Sequence, residues 1–364
     1  MGIPNPVKYT PGGTASGCVL VGNFSFGVSN QAYGPTSVTG FWAGISPPTG
    51  GYTVYARKDV QGPSIRVAAN AAGLVTIANQ YGSTAGNVTD ALNWFLADPE
   101  YAVLSADFPM EDPDAIAFLA AAGITDPTIT SAIGTLVNSL KSNSLWTRIK
   151  AFYPLVGGTA TTHKYNLKNP QDTDAAFRLS MFGGLTHDAN GVTGNGSTGY
   201  MDPHFTKSNF NGQNDNGILV YCRNNFADGS KGLYGAIDTG FSGIRFLPKL
   251  GSIAYKSLFS GTGAGISNTN SSGLWIHTRT GASADAIYRN GTLFQTQNFT
   301  STTNSTTASI LILAVDYNNG GSKYQNADAN ICTFAFTDGL DNTEKATLST
   351  IVNTFNTTLS RNIY

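Results

Sequence analysis

The stretch AFYPLVGGTATTHKYNLKNPQDTDAAFRL, residues 151–179, decides how this chain folds. It begins with an apolar run, breaks at Gly157-Gly158, continues as a polar loop and enters a second apolar run, AAFRLSMF, at 175–182. Apolar runs bounded by Gly, Pro and Asn clusters are typical of packed β-strands joined by turns. The stretch therefore marks the point where a helical segment gives way to an all-β domain.

Residues 149–364 continue as a series of short strand-like runs separated by Gly, Asn and Ser turns. The runs are GILVYCRNNF, GLYGAID, GIRFLP, SIAYKSLF, GLWIHTR, AIYRN, TLFQTQ, ASILILAVDY and NICTFAF. Asn290-Gly291 is the strongest hairpin signal, because both turn residues must tolerate positive φ. This pattern predicts a two-sheet antiparallel sandwich or jelly roll. Its predicted core contains Val220, Cys222, Ile276, Leu311, Leu313 and Phe336.

Helical signals flank this region on both sides. Asp112-Pro113 and Asp126-Pro127 each place a capping carboxylate before a proline, which predicts a helical hairpin over 110–148. At the other end, Asp341 and Glu344 form a capping-box pattern that predicts a helix over about 342–359. We expect the hairpin to pack on a neighbouring domain, although an oligomer seam is an alternative.

Residues 1–109 predict a small α+β module that is separate from the hairpin. CVLVGNFSFGV (18–28) and YTVYARK (52–58) are typical of strands, whereas AANAAGLVTIANQ (68–80) and NVTDALNWFLA (87–97) have helical spacing. The module contains several aromatic residues that either form a contact surface or fill a small core: Phe24, Phe26, Phe41 and Trp42. Under the first alternative, residues 1–109 are an attachment module.

Two segments carry a resemblance to a known family: WTRIKAFYPLVGGTATTHKYNLKNPQDTDAAFRL (146–179) and FAFTDGLDNTEKATLSTIVNTFNTTLSRN (334–362). They resemble the concanavalin A-like, laminin G-like lectin domain of tailed-bacteriophage structural proteins, and with the preceding helices they bracket roughly residues 110–364. The resemblance implies a jelly-roll fold with a terminal helix, a place in the virion and other virion proteins as partners. Tail fibre, head fibre and capsid decoration protein all stay open as positions.

Composition agrees with a structural or binding role. Charged residues are 12% of the chain and the net charge is −1, against about 25% charged residues in an average soluble protein. The near-zero charge gives no electrostatic basis for binding nucleic acid or an anionic membrane. The first residues, MGIPNPVKYTPGG, lack the apolar core of a signal peptide. We expect synthesis in the host cytoplasm, a homo-oligomer and a final location in the virion.

The chain offers little that predicts an enzyme. Its three glutamates are Glu100, Glu111 and Glu344, and none lies on a predicted sandwich strand, whereas a glucanase needs two carboxylates flanking the scissile bond. No nucleophile elbow, HExxH or phosphate-binding glycine loop occurs in the sequence. We therefore expect a non-enzymatic protein. A polysaccharide depolymerase that uses two aspartates is the last-ranked alternative.

Two kinds of binding residue stand out. Aromatic residues in polar loops can stack on the apolar face of a sugar, which predicts a host-surface glycan as a ligand. The candidates are Tyr200, Phe205, Phe210, Tyr317 and Tyr324. Asp and Asn in Gly-containing loops can supply oxygen ligands to Ca²⁺ or simply form turns. These candidates are Asp188, Asn190, Asp215 and Asp316, and without such a site we expect no cofactor.

The histidines and cysteines predict structural roles. His163 lies in the polar loop of the opening stretch, where we expect it to fix the loop by hydrogen bonding. No histidine has another His, Cys or Glu at metal-ligand spacing, so none is assigned to a metal. His277 follows Ile276 on a strand and is expected to point away from the core. Cys222 and Cys332 are expected to be buried free thiols, with a Cys222–Cys332 disulfide as the alternative.

Overall fold

The computed structural model describes residues 112–364 except 227–228, 241, 261–263, 298–299, 302–305 and 318–319, together with the main chain of six strands between residues 8 and 87. The chain divides into two compact units, Met1–Glu111 and Asp112–Tyr364. Each unit is built around its own β-sheet or sheets.

The first unit contains one six-stranded sheet with strands in chain order. The strands are β1 (Lys8–Tyr9), β2 (Cys18–Val21), β3 (Tyr52–Ala56), β4 (Arg66–Asn70), β5 (Leu74–Asn79) and β6 (Gly82–Asn87). The strands predicted in 18–28 and 52–58 are confirmed over β2 and β3. The helix predicted at 68–80 is wrong, because β4 and β5 pair antiparallel there. The helix predicted at 87–97 and the aromatic residues Phe24, Phe26, Phe41 and Trp42 lie outside the described residues.

The second unit begins with the predicted helical hairpin. The helices of this unit are α1 (Pro113–Ala122), α2 (Pro127–Ser142), the one-turn α3 (Ala160–His163) and α4 (Asn342–Thr358). Asp112 and Asp126 cap α1 and α2 as predicted, and Gly123 ends α1 in the left-handed conformation with φ 66°. Asp341 and Glu344 form the predicted capping box of α4. None of the described helices is long and apolar enough to cross a membrane.

Removing one of these caps is expected to have a measurable but small effect. The Asp126 carboxylate accepts a hydrogen bond from the Ile129 main-chain N–H at 2.9 Å. Asp126→Ala is expected to lower the free energy of opening of α2 by about 1 kcal/mol, measured by hydrogen exchange. Thr135→Ala, an exposed position in the middle of the same helix, is expected to leave α2 unchanged or slightly more stable because alanine is the better helix former. Equal effects of the two changes would contradict the capping role.

Two sheets form the sandwich. The eight-stranded sheet consists of β7 (Ile149–Tyr153), β9 (Thr186–Asp188), β10 (Gly191–Thr193), β12 (Asn216–Cys222), β17 (Gly273–Gly281), β18 (Ala284–Arg289), β19 (Thr292–Gln297) and β23 (Asn330–Thr337). The nine-stranded sheet consists of β8 (Ser180–Phe182), β11 (Tyr200–Asp202), β13 (Tyr234–Ile237), β14 (Gly243–Leu250), β15 (Ile253–Ser260), β16 (Ala264–Ser267), β20 (Leu311–Ile312), β21 (Val315–Tyr317) and β22 (Ser322–Tyr324).

The order of strands is β19-β18-β17-β12-β23-β10-β9 in the first sheet, with β7 also paired to β23, and β16-β15-β14-β13-β20-β11-β8 in the second. Described pairings within the two sheets are antiparallel except β13–β21. The predicted antiparallel sandwich is therefore confirmed. Asn290 and Gly291, both at positive φ, turn β18 into β19 as predicted.

Two predicted strands are shorter than their apolar runs. In AAFRLSMF, residues 174–176 form a 3₁₀ turn and Phe177 is left-handed, so only β8 is extended. The run at 308–317 is broken into β20 and β21, with Leu313 at φ 66° between them. Both breaks place buried side chains at chain reversals, which an apolar run alone does not reveal.

The central strands are buried on both faces, which explains their unbroken apolar sequences. On β12, Ile218, Val220 and Cys222 face the other sheet, whereas Leu219 and Tyr221 face the helices. The helical layer adds the apolar stripe of α2 and the face of α4 formed by Leu348, Ile351, Val352 and Phe355. The unit therefore has three layers: helices, the eight-stranded sheet and the nine-stranded sheet.

All six predicted core residues are buried, but two face elsewhere. Ile276 packs in the helical layer, and Leu311 alternates with Ile310 and Ile312, which face the sheet interface. Because Ile276 faces the helices, its neighbour His277 points between the sheets, so the expectation that it points away from the core is wrong. Cys222 and Cys332 are buried free thiols, and they lie on opposite faces of the eight-stranded sheet.

Candidate functional site

The structure divides the predicted sugar-binding aromatics into core and surface residues. Phe205 and Phe210 are 0% and 6% exposed and belong to the core between the sheets. Phe205 stacks on Phe336 with ring centroids 4.0 Å apart. Their predicted exposure is wrong, because both rings point inward and pack against Phe336 although their neighbours in the sequence are polar. Tyr200, Tyr317 and Tyr324 are partly exposed.

Tyr200 forms an exposed aromatic platform with Phe182, a residue that the sequence analysis did not identify. The two rings lie opposite each other on β11 and β8, with centroids 4.8 Å apart and planes 15° apart. Phe182 remains 42% exposed although Tyr200 covers one face of its ring. Since β8 is the edge strand of its sheet, the other face of the Phe182 ring is open to a ligand.

The local sequence holds this platform rigidly. Met201 faces the core, and alternation therefore places Tyr200 on the outer face of the sheet. Gly183 follows Phe182 at φ 65°, and a Cβ there would lie 2.1 Å from the Thr198 carbonyl oxygen. The Asn195 side-chain oxygen accepts hydrogen bonds from the main-chain N–H groups of Ser197, Thr198 and Gly199. Gly183, which follows β8 and has no side chain, thus packs against the hydrogen-bonded loop at Asn195, next to the two rings.

Polar groups continue from the platform on the same face. Ser180 and Asp202 each lie two residues from a platform ring, and their strands pair at these positions. The Ser180 hydroxyl is 2.8 Å from His204 Nε2, and the His204 main-chain N–H donates to Asp202 at 2.8 Å. Hydroxyl, imidazole and carboxylate groups next to an aromatic ring are the combination that binds the hydroxyls and the apolar face of a sugar.

A second aromatic cluster lies on the outer face of the same sheet. Tyr317 and Tyr324 pack edge to face with centroids 5.6 Å apart, so the structure brings together two of the predicted residues. The Arg245 guanidinium stacks 4.4 Å above the Tyr255 ring. Burial raises the pKa of Tyr324, and Arg245 opposes part of that increase. Tyr317 and Tyr324 are both less exposed than Phe182. This cluster therefore offers a ligand less open ring surface than the platform does.

The aspartates among the predicted calcium ligands are occupied in local turns, in a hydrogen bond between distant segments and in an ion pair. Asp188 accepts from the main-chain N–H of Asn190 at 2.7 Å, and Asp215 accepts from that of Gly339 at 2.7 Å. Asp316 accepts from the main-chain N–H of Gly320 and pairs with Lys323. Within the part of unit 112–364 that the structure describes, no three His, Cys, Asp or Glu side chains gather as a metal site would require. The calcium site stays a prediction.

His163 and His187 are in contact, a pairing that their positions in the sequence did not indicate. Their Nδ1 atoms are 3.0 Å apart, and the Gly158 main-chain N–H donates to His163 Nε2 at 3.2 Å. Nε2 of His163 is therefore unprotonated, and Nδ1–H donates to His187. Burial lowers the pKa of His163 to about 3, with smaller effects of His187 and Arg361, and burial also lowers the pKa of His187. His163 does fix its loop, as predicted.

A groove of about 510 Å³ lies next to this histidine pair and is lined by the neighbouring residues Thr162 and Ala189. The walls are residues 123–129, the loop 156–162, Ala189 and the end of α4 at 358–360, and the described lining residues include no aromatic side chain. The groove therefore lacks the stacking surface that the Phe182–Tyr200 platform provides.

Charged residues are buried between the sheets around His277. Lys256, Asp285 and Arg279 are all at most 2% exposed. Burial and Lys256 lower the pKa of His277 to about 4 against the opposing effect of Asp285, so His277 is neutral. Burial alone would raise the pKa of Asp285, but His277 and Lys256 outweigh it and lower the pKa to about 2. Neither Lys256 nor Asp285 was singled out from the sequence, because their partners lie on distant strands.

Comparisons with known proteins find only distant likenesses. No family model and no curated protein matches the sequence. Among solved structures, the binding domain of botulinum neurotoxin DC in complex with SialylT is 13% identical with a TM-score of 0.40, covering 57% of this chain and 52% of that one. Trypanosoma rangeli sialidase in complex with sialic acid is 9% identical with a TM-score of 0.40, covering 82% and 44%.

The chain thus spans about half the length of the structures it matches. At these TM-scores the likeness carries no inference about ligands. The assignment of the sandwich fold rests on the two sheets of this chain.

Proposed function

We propose that residues 112–364 form a carbohydrate-binding module whose main contact is the Phe182–Tyr200 platform. The observation that carries the proposal is the stacked, solvent-open ring of Phe182 on an edge strand. A sugar would place its apolar face on this ring. Its hydroxyl groups would then reach the polar row formed by Ser180, His204 and Asp202.

Rigidity supports the proposal. An aromatic ring held by a stacked neighbour loses little conformational freedom when a ligand binds, and preorganised contacts cost less binding free energy. The hydrogen-bonded loop at Asn195 holds the backbone next to Phe182 in the same way. A single platform of this size predicts weak monovalent binding, which many copies on one particle would convert into firm attachment.

The test is binding of the full chain to arrays of bacterial surface polysaccharides and oligosaccharides, first as multimers to find a ligand and then as monomers to measure affinity. Phe182→Ala is expected to weaken monovalent binding about tenfold, equivalent to about 1.4 kcal/mol, and Tyr200→Ala is expected to weaken it in the same direction. Leu293→Ala is the matched control, because Leu293 is an apolar residue of similar exposure on the edge strand of the other sheet.

Leu293→Ala is expected to bind like the wild type. Failure of the multimer to bind any surface carbohydrate would overturn the proposal. Equal losses in Phe182→Ala and Leu293→Ala would overturn the placement of the site.

A second role is proposed alongside this one: a structural protein of a tailed-phage virion, as a fibre or decoration protein. It rests on the resemblance of residues 146–179 and 334–362 to the phage domain. The two segments that resemble the phage domain form a single structural unit, since β7 pairs with β23 and Arg148 pairs with Glu344 at 2.8 Å. Mass spectrometry of purified particles of the encoding phage tests this role, and absence of the chain from the particles would refute it.

A further inference from the structure

A buried lysine and a buried carboxylate join the two sheets. Lys256 on β15 belongs to the nine-stranded sheet and Asp285 on β18 to the eight-stranded sheet. Lys256 Nζ lies 3.0 Å from Asp285 Oδ1, and the two side chains are 0% and 1% exposed. Burying an ion pair this completely costs free energy, because both charges lose their hydration.

Three further side chains surround the pair. His277 Nε2 is 3.0 Å from Asp285 Oδ1, and the Tyr234 hydroxyl is 3.1 Å from His277 Nδ1. Because a carboxylate only accepts hydrogen bonds, His277 Nε2 carries the proton and Tyr234 donates to Nδ1. Arg279 Nη2 lies 3.4 Å from the other carboxylate oxygen, Oδ2. The two oxygens of Asp285 therefore have different partners: Lys256 and His277 at Oδ1, Arg279 at Oδ2.

We propose that Lys256 and Asp285 react with each other to form an isopeptide bond, a covalent link between the two sheets. The arrangement contains a nucleophile at Lys256, an N–H donor at the leaving oxygen from His277, and a cation, Arg279, at the oxygen that gains negative charge. These are the three groups that amide formation from an amine and a carboxyl group needs. The proposal is independent of carbohydrate binding.

The reaction balances within the site. A proton passes from the Lys256 ammonium to Oδ1. Because the pKa of Asp285 is lowered, the resulting neutral amine and neutral acid are a minor species, and the reaction proceeds through this species. The amine then attacks the Asp285 side-chain carbon. The C–N bond forms, and negative charge develops on Oδ2 beside Arg279. The C–Oδ1 bond breaks as His277 Nε2 gives its proton to Oδ1, which leaves as water, and a second Nζ proton replaces the proton on Nε2. The third proton remains on the amide nitrogen.

The fold lowers the activation barrier of this step by holding the two reacting groups together. Holding two reactants in contact is equivalent to a very high local concentration, with effective molarities of about 10⁵ M or more in well-oriented cases. Burial lowers the pKa of Lys256, although Asp285 opposes the effect, which favours the reactive amine. The product replaces a buried ion pair by a neutral amide, while Arg279 keeps main-chain acceptors at Leu258 and Ala282.

Mass spectrometry of the full chain tests the proposal. After prolonged incubation at neutral pH, the denatured protein is expected to be one water lighter than its sequence mass. Trypsin is expected not to cleave after Lys256, and the peptides 250–279 and 280–289 are expected to remain joined. Lys256→Arg, which keeps the charge but not the amine, is expected to have the full sequence mass. Lys249→Arg, a lysine outside the site, is expected to keep the loss of water.

Two results would overturn the proposal. One is a wild-type chain of full sequence mass, with free Lys256 and Asp285 peptides. The other is a loss of water that maps to an Asp-Gly sequence such as Asp338-Gly339, since a carboxyl group next to glycine can lose water by cyclising on the main chain. Neither result depends on whether any variant folds, because both are read from the wild-type protein.

Discussion

Replacing Arg361 by alanine is expected to lower the free energy of opening of β7 and β23 by at least about 3 kcal/mol, because three buried carbonyl groups lose their donor. The Arg361 side chain is completely buried. Its guanidinium donates to the carbonyl oxygens of Pro154 at 2.6 Å, Leu155 at 2.8 Å and Cys332 at 3.1 Å. Arg361 thereby connects the C-terminal residues to the segment that follows β7 and to β23.

Hydrogen exchange of the full chain is the suitable measurement, since it reports on β7 and β23 separately from the first unit. Arg178→Ala is the control. Arg178 is a partly exposed arginine whose partners are the carboxylates Asp172 and Asp174, and surface ion pairs of this kind contribute about 1 kcal/mol or less. If Arg361→Ala lowered the free energy of opening of β7 and β23 no more than Arg178→Ala, the Arg361 guanidinium would not be stabilising the two strands.

Elements with local signals could be predicted from the sequence. The Asp-Pro caps of α1 and α2, the capping box of α4 and the Asn290-Gly291 turn are each decided by a few adjacent residues. The helix predicted at 68–80 failed for the opposite reason. Its alanines fit a helix in isolation, but pairing between β4 and β5 overrides such intrinsic preferences.

The direction of side chains on central strands could not be predicted. A strand between two apolar layers has no polar face, so alternation does not say which residues face which layer. Ile276 and His277 show the consequence: the apolar residue faces the helices and the histidine faces the other sheet. Whether Lys256 and Asp285 face the space between the sheets depends on this same alternation. Their burial therefore could not be predicted from the sequence.

The candidate site was found only in part for a related reason. Tyr200 was identified from its polar neighbours, but its partner Phe182 lies in an apolar run that predicts a buried strand. The alternation of Ser180 and Phe182 on one face, with a Gly-Gly break directly after, is the signal that was available. Phe205 and Phe210 have equally polar neighbours and are buried, because whether a loop covers the core depends on contacts distant in sequence.

The stability of the second unit is expected to fall as the pH is lowered below about 6.5, the ordinary pKa of histidine. Burial lowers the pKa of His163 to about 3, and the neutral ring accepts a hydrogen bond from Gly158 and donates one to His187. Above pH about 6.5 neither the folded nor the unfolded chain protonates this residue, so its contribution is constant. Below that pH the unfolded chain binds a proton that the folded chain does not.

The free energy of unfolding should therefore drop by up to about 1.4 kcal/mol per pH unit for His163, or about 3 kcal/mol between pH about 6.5 and about 4. The lowered pKa values of His187 and His277 act in the same direction. The other charged groups near the pair are Arg361, whose charge further disfavours protonation of His163, and Asp188, which favours protonation of His187.

Urea titrations of the wild type and His163→Gln, followed by near-ultraviolet circular dichroism at several pH values, provide the measurement. The glutamine amide can donate and accept hydrogen bonds but does not titrate. At pH about 7.5 the difference between the two proteins reports on packing alone, since His163 is neutral in both states. As the pH falls to about 4, the wild type should lose about 3 kcal/mol more than the variant. Parallel pH dependences would mean that His163 binds its proton equally in the folded and unfolded chain, and burial could not then be what holds it neutral.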